Sequence, residues 1–360
     1  MNPYLELLRA QLTPAAAADL LTAAQVTDPH AAVRRLQGIS QDALTQEALA
    51  ACLAVVLPAV AGAASPTAAL VSFERFARSA AQPADLFLYL AANPRQVEML
   101  ITLFAGSHFL SEILLRNPDY FRLFSERREL SQPKTAAQLY AEAQKALAPF
   151  VEPFDQLNAL RRFQRWELLR IGAADFFGLL DLPKVTLQLS RLADALVWQC
   201  LTMAAWRAER ASAGFIVIAL GKLGGEELNY SSDIDLLFIA RDHPTDYQAL
   251  SQHLIDALVR ATPEGFLYRV DMRLRPWGGV GPLVSSLDGY LGYLRQDARL
   301  WEKQALLKAR VIAGDDALAA DFMQQVQPFI FSATPAEVRT SVAAMKQRTE
   351  SNLAARGRTW

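Results

Sequence analysis

Apolar residues recur at three- and four-residue spacing from residue 1 to about 205, with prolines or asparagines near the breaks. That period predicts helices throughout this region and carries no strand signal. Asn93-Pro94 and Asn117-Pro118 mark two of the breaks, because proline can start a helix but not continue one. Leu157 to Arg210 predicts two longer helices with Pro183 near their junction. The first sets Leu160, Phe163, Leu168 and Ile171 along one side, with Arg161, Arg162, Arg165 and Arg170 among them. Those arginines suit a solvated face or supports for neighbouring carboxylates, and also a contact with an acidic or nucleotide-bearing partner. Trp166, Phe176, Phe177 and Trp198 read as core aromatics.

At Gly214 the period changes. "FIVIAL" and "IDLLFIA" are short apolar runs of the kind found in a sheet buried on both faces. Residues 246–260 return to a helical pattern. "FLYRVDMRLRP" then alternates, with Tyr268, Val270, Met272 and Leu274 on one face and Arg269, Asp271, Arg273 and Arg275 on the other, which predicts a strand with a polar face. After the turn "PWGGVGPL" the pattern is helical from about Leu287 to Leu307, and again after Asp315. The fold expected is α+β and predominantly helical. Its organisation is a helical domain over 1–205, a catalytic domain with a helix-flanked sheet over 206–330, and the start of a further helical segment over 331–360.

Composition narrows the function classes. Lys and Arg total 36 against 37 Asp and Glu, so overall charge gives no reason to expect a nucleic-acid or anionic-membrane coat, and a phosphate site must be local. Cys52 and Cys200 have no metal-ligand or disulfide-framework spacing, which favours a reducing cytoplasm. The first residues lack the basic and apolar regions of a secretory signal. Ala48 to Phe73 carries no charge and is long enough to span a bilayer, but Pro58, Gly62, Ser65, Pro66 and Thr67 break it. A buried helix of about 4 turns followed by a loop is expected there. The four histidines form no motif, which speaks against a histidine-metal hydrolase.

Chemistry concentrates in "GKLGGEELNYSSDIDLLFI". Residues two apart in a strand share a face, so Asp233 and Asp235 project together. Adjacent carboxylates repel unless a cation lies between them, and Mg²⁺ suits hard oxygen ligands while keeping positions for phosphate. Gly224 and Gly225 allow a backbone turn to approach a phosphate closely. Asp271 could supply a third carboxylate, and Arg273 and Arg275 could neutralise nucleotide phosphates. Lys222 suits either a phosphate contact or a strand-end cap. Asn229, Ser231 and Ser232 suit loop-fixing bonds, with Ser232 also placed to touch a ligand. Taken alone, an Asp-x-Asp pair also suits a capped or solvated loop edge.

"ALGKLGGEELNYSSDIDLLFI", "YRVDMRLRPWGGVGPLV" and "WEKQALLKARVIAGD" resemble successive signature blocks of the bifunctional glutamine synthetase adenylyltransferase/adenylyl-removing family, within the nucleotidyltransferase superfamily. "LRRFQRWELLRIGAADFFG" and "LLRNPDYF" extend the likeness upstream. The resemblance implies a polymerase β-like sheet, metal-binding catalytic Asp233, Asp235 and Asp271, and a phosphate-contacting turn at Gly224 and Gly225. It implies Mg²⁺, two ions, with ADP or ATP and phosphate as substrates or products. It also implies glutamine synthetase as protein substrate, a PII-type nitrogen signalling protein as a possible partner, and neither nucleic acid nor membrane.

Family members carry two catalytic halves, with a "GxIREIEF"-like block after the first. This chain resembles the N-terminal, adenylyl-removing half and stops at Trp360 before such a block, so a piece of a longer protein is expected, with a naturally shortened protein as the alternative. The activity expected is phosphorolysis of adenylyl-tyrosine, with phosphate in and ADP out. Adenylylation from ATP is the nearest alternative. A non-catalytic nucleotide-sensing module is the alternative from another class, and a polymerase-like or tRNA nucleotidyltransferase would be expected to show a basic surface.

Overall fold

The computed structural model describes residues 2–40, 42–121 and 132–355. Two compact units are present, one of Met1–Gln132 with Leu168–Asp181 and the other of Pro133–Glu167 with Leu182–Trp360. The fold is α+β and dominated by helices, with one small mixed sheet.

The first unit is built from short helices, several opening on proline: Pro14–Thr22, Pro29–Gln37, Pro66–Ser79, Pro83–Ala92 and Pro94–Gly106. Polar side chains close some of the open amides, as where Asp28 Oδ1 accepts from the Ala31 amide at 2.9 Å. Ala43–Ala61 is one continuous helix with Pro58 inside it. The loop expected to follow is confined to a short break, because Pro66 starts the next helix rather than prolonging the turn. Among the described residues, Ala43–Ala61 is the one helix long and apolar enough to cross a membrane, and half of its most apolar stretch is buried inside the fold.

In the second unit, Phe215–Leu220 (β1) and Ile234–Ala240 (β2) form the centre of the sheet. β1 is buried at every position. β2 runs antiparallel to β1, with Phe215 opposite Ala240 and Leu220 opposite Asp235. Val270–Asp271 (β3) and Val284–Ser286 (β4) both lie parallel to β2 on its other edge. β3 pairs Ile234 and Asp235, and β4 pairs Phe238, Ile239 and Ala240, so that edge is filled by two short strands with Leu236 and Leu237 between them. Arg310–Gly314 (β5) closes the far side against β1.

One face of the sheet, carrying Ile216, Ile218, Leu220, Leu237 and Ile239, packs against Leu287, Tyr290, Leu291, Leu318, Phe322 and Val326 from the helices Leu287–Gln296 and Asp316–Ile330. Asp315 ties this layer to the sheet. Its carboxylate accepts from the Leu318 amide at 2.8 Å and from the Gly214 amide at 2.9 Å. On the opposite face Phe215 stacks on Tyr247 with ring centroids 5.3 Å apart.

Three expectations need correction. The alternating strand over residues 266–276 is only two residues long, because after Asp271 the chain turns on a bond from the Arg273 amide to Asp271 Oδ1 (2.8 Å) and then meets Pro276. β4 and β5 fall in residues that the sequence pattern leaves unassigned. Finally, Trp166, Phe177 and Trp198 are half-buried and Phe176 is exposed, and Leu169 rather than Leu168 is fully buried. Trp198 makes an edge-on contact with Tyr140, ring centroids 5.9 Å apart.

The arginines of helix Pro153–Phe176 have a structural use within the second unit. Arg161 is fully buried and donates to the Arg260 carbonyl at 2.6 Å. Gln164 donates to the Leu267 carbonyl at 2.7 Å, and Arg165 pairs with Glu264 at 2.6 Å. Together they hold the segment that delivers β3, and so Asp271, to the sheet.

Candidate active site

Residues paired across a ladder face the same side. The register that sets Asp235 opposite Asp271 therefore brings those two carboxylates together at one end of the sheet. Asp233 lies one residue before β2, so it is not held by the ladder. It pairs with Arg269 Nε, whose Nη2 also donates to the Ser231 carbonyl at 2.6 Å. Asp271 is gripped by Arg273, whose Nε donates to Oδ1 at 3.0 Å and to Oδ2 at 2.8 Å. The Arg273 side chain itself is 83% exposed, so its guanidinium faces solvent while it holds Asp271.

The electrostatics differ across this row. Burial, then the like charges of Asp271 and Asp233, push the Asp235 carboxyl above its ordinary value, with Arg273 and Lys222 opposing. The Arg273 guanidinium holds Asp271 below the ordinary value. Among the described residues, no group of three or more His, Cys, Asp or Glu is gathered as a ready metal cage. Instead, arginines hold two of the three carboxylates, and the third is left crowded by negative charge.

The glycines have local reasons of their own. The helical turn Gly221–Gly224 follows β1 directly. Gly221 has φ +55°, and a Cβ there would collide with Asp235 Oδ2, so its bare Cα makes room for that carboxylate. At Gly224 a Cβ would lie 2.6 Å from the Ala219 carbonyl oxygen and closer still to that of Lys308. Gly225 donates its amide to the Gly221 carbonyl at 3.1 Å. At Gly224 the close approach is made by the chain's own backbone, whereas at Gly225 the neighbour is the Lys308 side chain.

Lys222 is exposed and reaches Ser232 Oγ at 3.3 Å, placing both at the rim of the carboxylate row. Arg275 differs from expectation. Its donors go to the carbonyls of Met272 (3.0 Å), Gly279 (2.9 Å) and Gly281 (3.2 Å), so it staples the loop that follows β3. The sequence reading missed Gly221 and Arg269 as site residues. Gly221 opens the same "GKLGG" stretch, and Arg269 shares the alternating face of Asp271, so a signal for both was present.

The sequence model of the family described as glutamate-ammonia ligase adenylyltransferase matches residues 97–325, which include the whole sheet. The chain is 35% identical over 258 residues to the bifunctional glutamine synthetase adenylyltransferase/adenylyl-removing enzyme of Thioalkalivibrio sulfidiphilus, covering 65% of this chain and 26% of that protein. Against proteins of the same description it is 36% identical over 278 residues in Chromobacterium violaceum and 36% over 297 residues in Pseudomonas aeruginosa. Each of these covers 74% of this chain, and 31% and 30% of the relative. The chain therefore spans about a quarter to a third of the length of these relatives. With the match running from the helical region through every strand that carries the acidic row, the chain belongs to the glutamate-ammonia ligase adenylyltransferase family.

Proposed function

We propose that this chain removes AMP from an adenylylated tyrosine of glutamine synthetase by phosphorolysis. The observation that carries the reading is the Asp235–Asp271 register, with Asp233 beside it, at one sheet end in a chain of this family. Asp235 and Asp271, brought together by the register, are hard oxygen donors that suit a divalent cation, and the crowding that raises Asp235 is what such a cation relieves; Asp233 would join them on leaving Arg269. Asp235 and Asp271, with Asp233, would hold Mg²⁺, which supplies Lewis-acid stabilisation of charge on phosphoryl oxygens.

The chain's own residues would orient the reactants. Arg273 and Lys222, exposed at the rim, would bind phosphate and nucleotide oxygens by charge-assisted bonds. In the reaction an oxygen of inorganic phosphate attacks the adenylyl phosphorus, the bond from phosphorus to the tyrosine oxygen breaks, and ADP and tyrosinate form. Tyrosinate then takes a proton from solvent. The direction rests on the resemblance of the signature blocks to an N-terminal half. Engagement of the synthetase is assigned to the helical region 1–205, in the cytoplasm, with a PII-type signalling protein as the regulator suggested by the same resemblance.

Incubation with adenylylated glutamine synthetase and labelled phosphate should yield labelled ADP and a synthetase lighter by one adenylyl group on mass measurement. Release of AMP would indicate hydrolysis. ATP-dependent modification of the bare synthetase, with no phosphate-dependent removal, would reverse the direction, and no reaction either way would leave a non-catalytic module.

A further inference from the structure

We propose that Arg310 is a positioning residue for this reaction, setting the Asp235 carboxylate through the Gly221–Gly224 turn; the inference rests on the function proposed above. Arg310 opens β5 and forms a fork on Asp194 of helix Leu182–Arg207, with Nη1 to Oδ2 at 2.6 Å and Nη2 to Oδ1 at 3.1 Å. The same guanidinium donates to the Leu223 carbonyl at 2.9 Å and to the Gly224 carbonyl at 3.4 Å.

One planar group thus joins a helix, an edge strand and the last two carbonyls of the turn. The turn has no slack. Lys308, two residues before Arg310, presents its carbonyl against Gly224, and at the other end Gly221 leaves just the room that Asp235 Oδ2 fills. A shift of the turn therefore moves the wall on which that carboxylate rests. The partial burial of Asp194 and Arg310 makes the fork a fixed strut rather than a loose surface pair. Within the described site, Arg310 touches neither Asp235 nor Asp271 in any bond, so its action is indirect.

The test compares Arg310→Lys, Arg310→Gln and Asp194→Asn with the parent chain. It measures kcat and KM for phosphate-dependent deadenylylation, Mn²⁺ affinity by electron paramagnetic resonance, and folding by far-UV circular dichroism. Arg310→Lys keeps a cation on Asp194 but loses the fork to the turn, so it guards against simple unfolding. The expected result is a fall in kcat of about 10-fold or more in folded Arg310→Lys, with KM for phosphate within about 2-fold and Mn²⁺ bound more weakly. Folded variants with parental kcat and Mn²⁺ affinity would overturn the positioning role alone. A parent chain that transfers no adenylyl group and binds no Mn²⁺ would instead overturn the proposed function, and this inference with it.

Discussion

Asp235→Asn lowers adenylyl turnover by about 100-fold or more, yet the folded chain melts higher than its parent at pH 8 in metal-free buffer. The first half follows from the place of Asp235 in the acidic row, opposite Asp271. Loss of ~3 kcal/mol of transition-state stabilisation, the scale expected when a metal-holding carboxylate is removed, corresponds to roughly 100-fold.

The second half follows from the sign of its pKa. Burial and the neighbouring carboxylates raise the folded-state value above the ordinary aspartate range. Ionised Asp235 therefore costs stability at neutral pH, and the cost fades as pH falls through the raised value, where the folded state takes up a proton first. Replacing the charge by an isosteric amide removes that cost. Below the unfolded-state value both states are protonated, and the advantage should vanish.

Asp271 behaves oppositely. Arg273 depresses its pKa, so its contribution is present above the unfolded value and is lost as pH falls through the folded one. Calorimetry at pH 8 and near pH 3, beside the labelled-phosphate assay, checks both halves. Turnover within about 3-fold of the parent, or a lower melting temperature at pH 8, would sink the reading of Asp235.

Gly224→Ala should be the most damaging of the single-methyl additions near the site. The new Cβ meets two backbone carbonyls, of Lys308 and Ala219, and neither can rotate away. Gly224 is buried between β1 and the segment leading to β5, so relief requires the sheet itself to shift. Overpacking of this kind costs about 1–3 kcal/mol or more. Gly225→Ala is the matched control, because its Cβ meets the Lys308 side chain, with Cδ at 2.9 Å, and that flexible chain can move aside. Denaturant unfolding should place Gly224→Ala well below the parent and Gly225→Ala within about 1 kcal/mol of it. Equal stability of the two variants would show that the turn is not clamped as described.

The helical region was legible because its signal is local: the three- and four-residue period and the prolines at first helical positions appear in any short window. β1 and β2 were equally plain as apolar runs. The bracketing of the site by β3, β4 and β5 was not, since each is a short strand whose pairing is set by residues far away in sequence. Asp271 and Arg273 stood out through alternation, but alternation could not reveal that the strand lasts only two residues. Arg275 resembled a phosphate ligand by type and face, whereas its loop carbonyls, three to six residues on either side, take its donors. Asp194 carried no signal at all in the sequence. Its role depends on a partner in β5.

The division of one β2 edge between β3 and β4 has a consequence for local opening. Asp271 is attached through a ladder of two residue pairs, and Leu236 and Leu237 separate that ladder from the pairs made by β4. Fraying therefore need not propagate from one short strand to the other, and the amides around Asp271 can exchange with solvent through a small excursion that leaves β1, β4 and the layer beneath them intact. The carboxylate row thus combines a rigid half, Asp235 on a central strand, with a half that can yield.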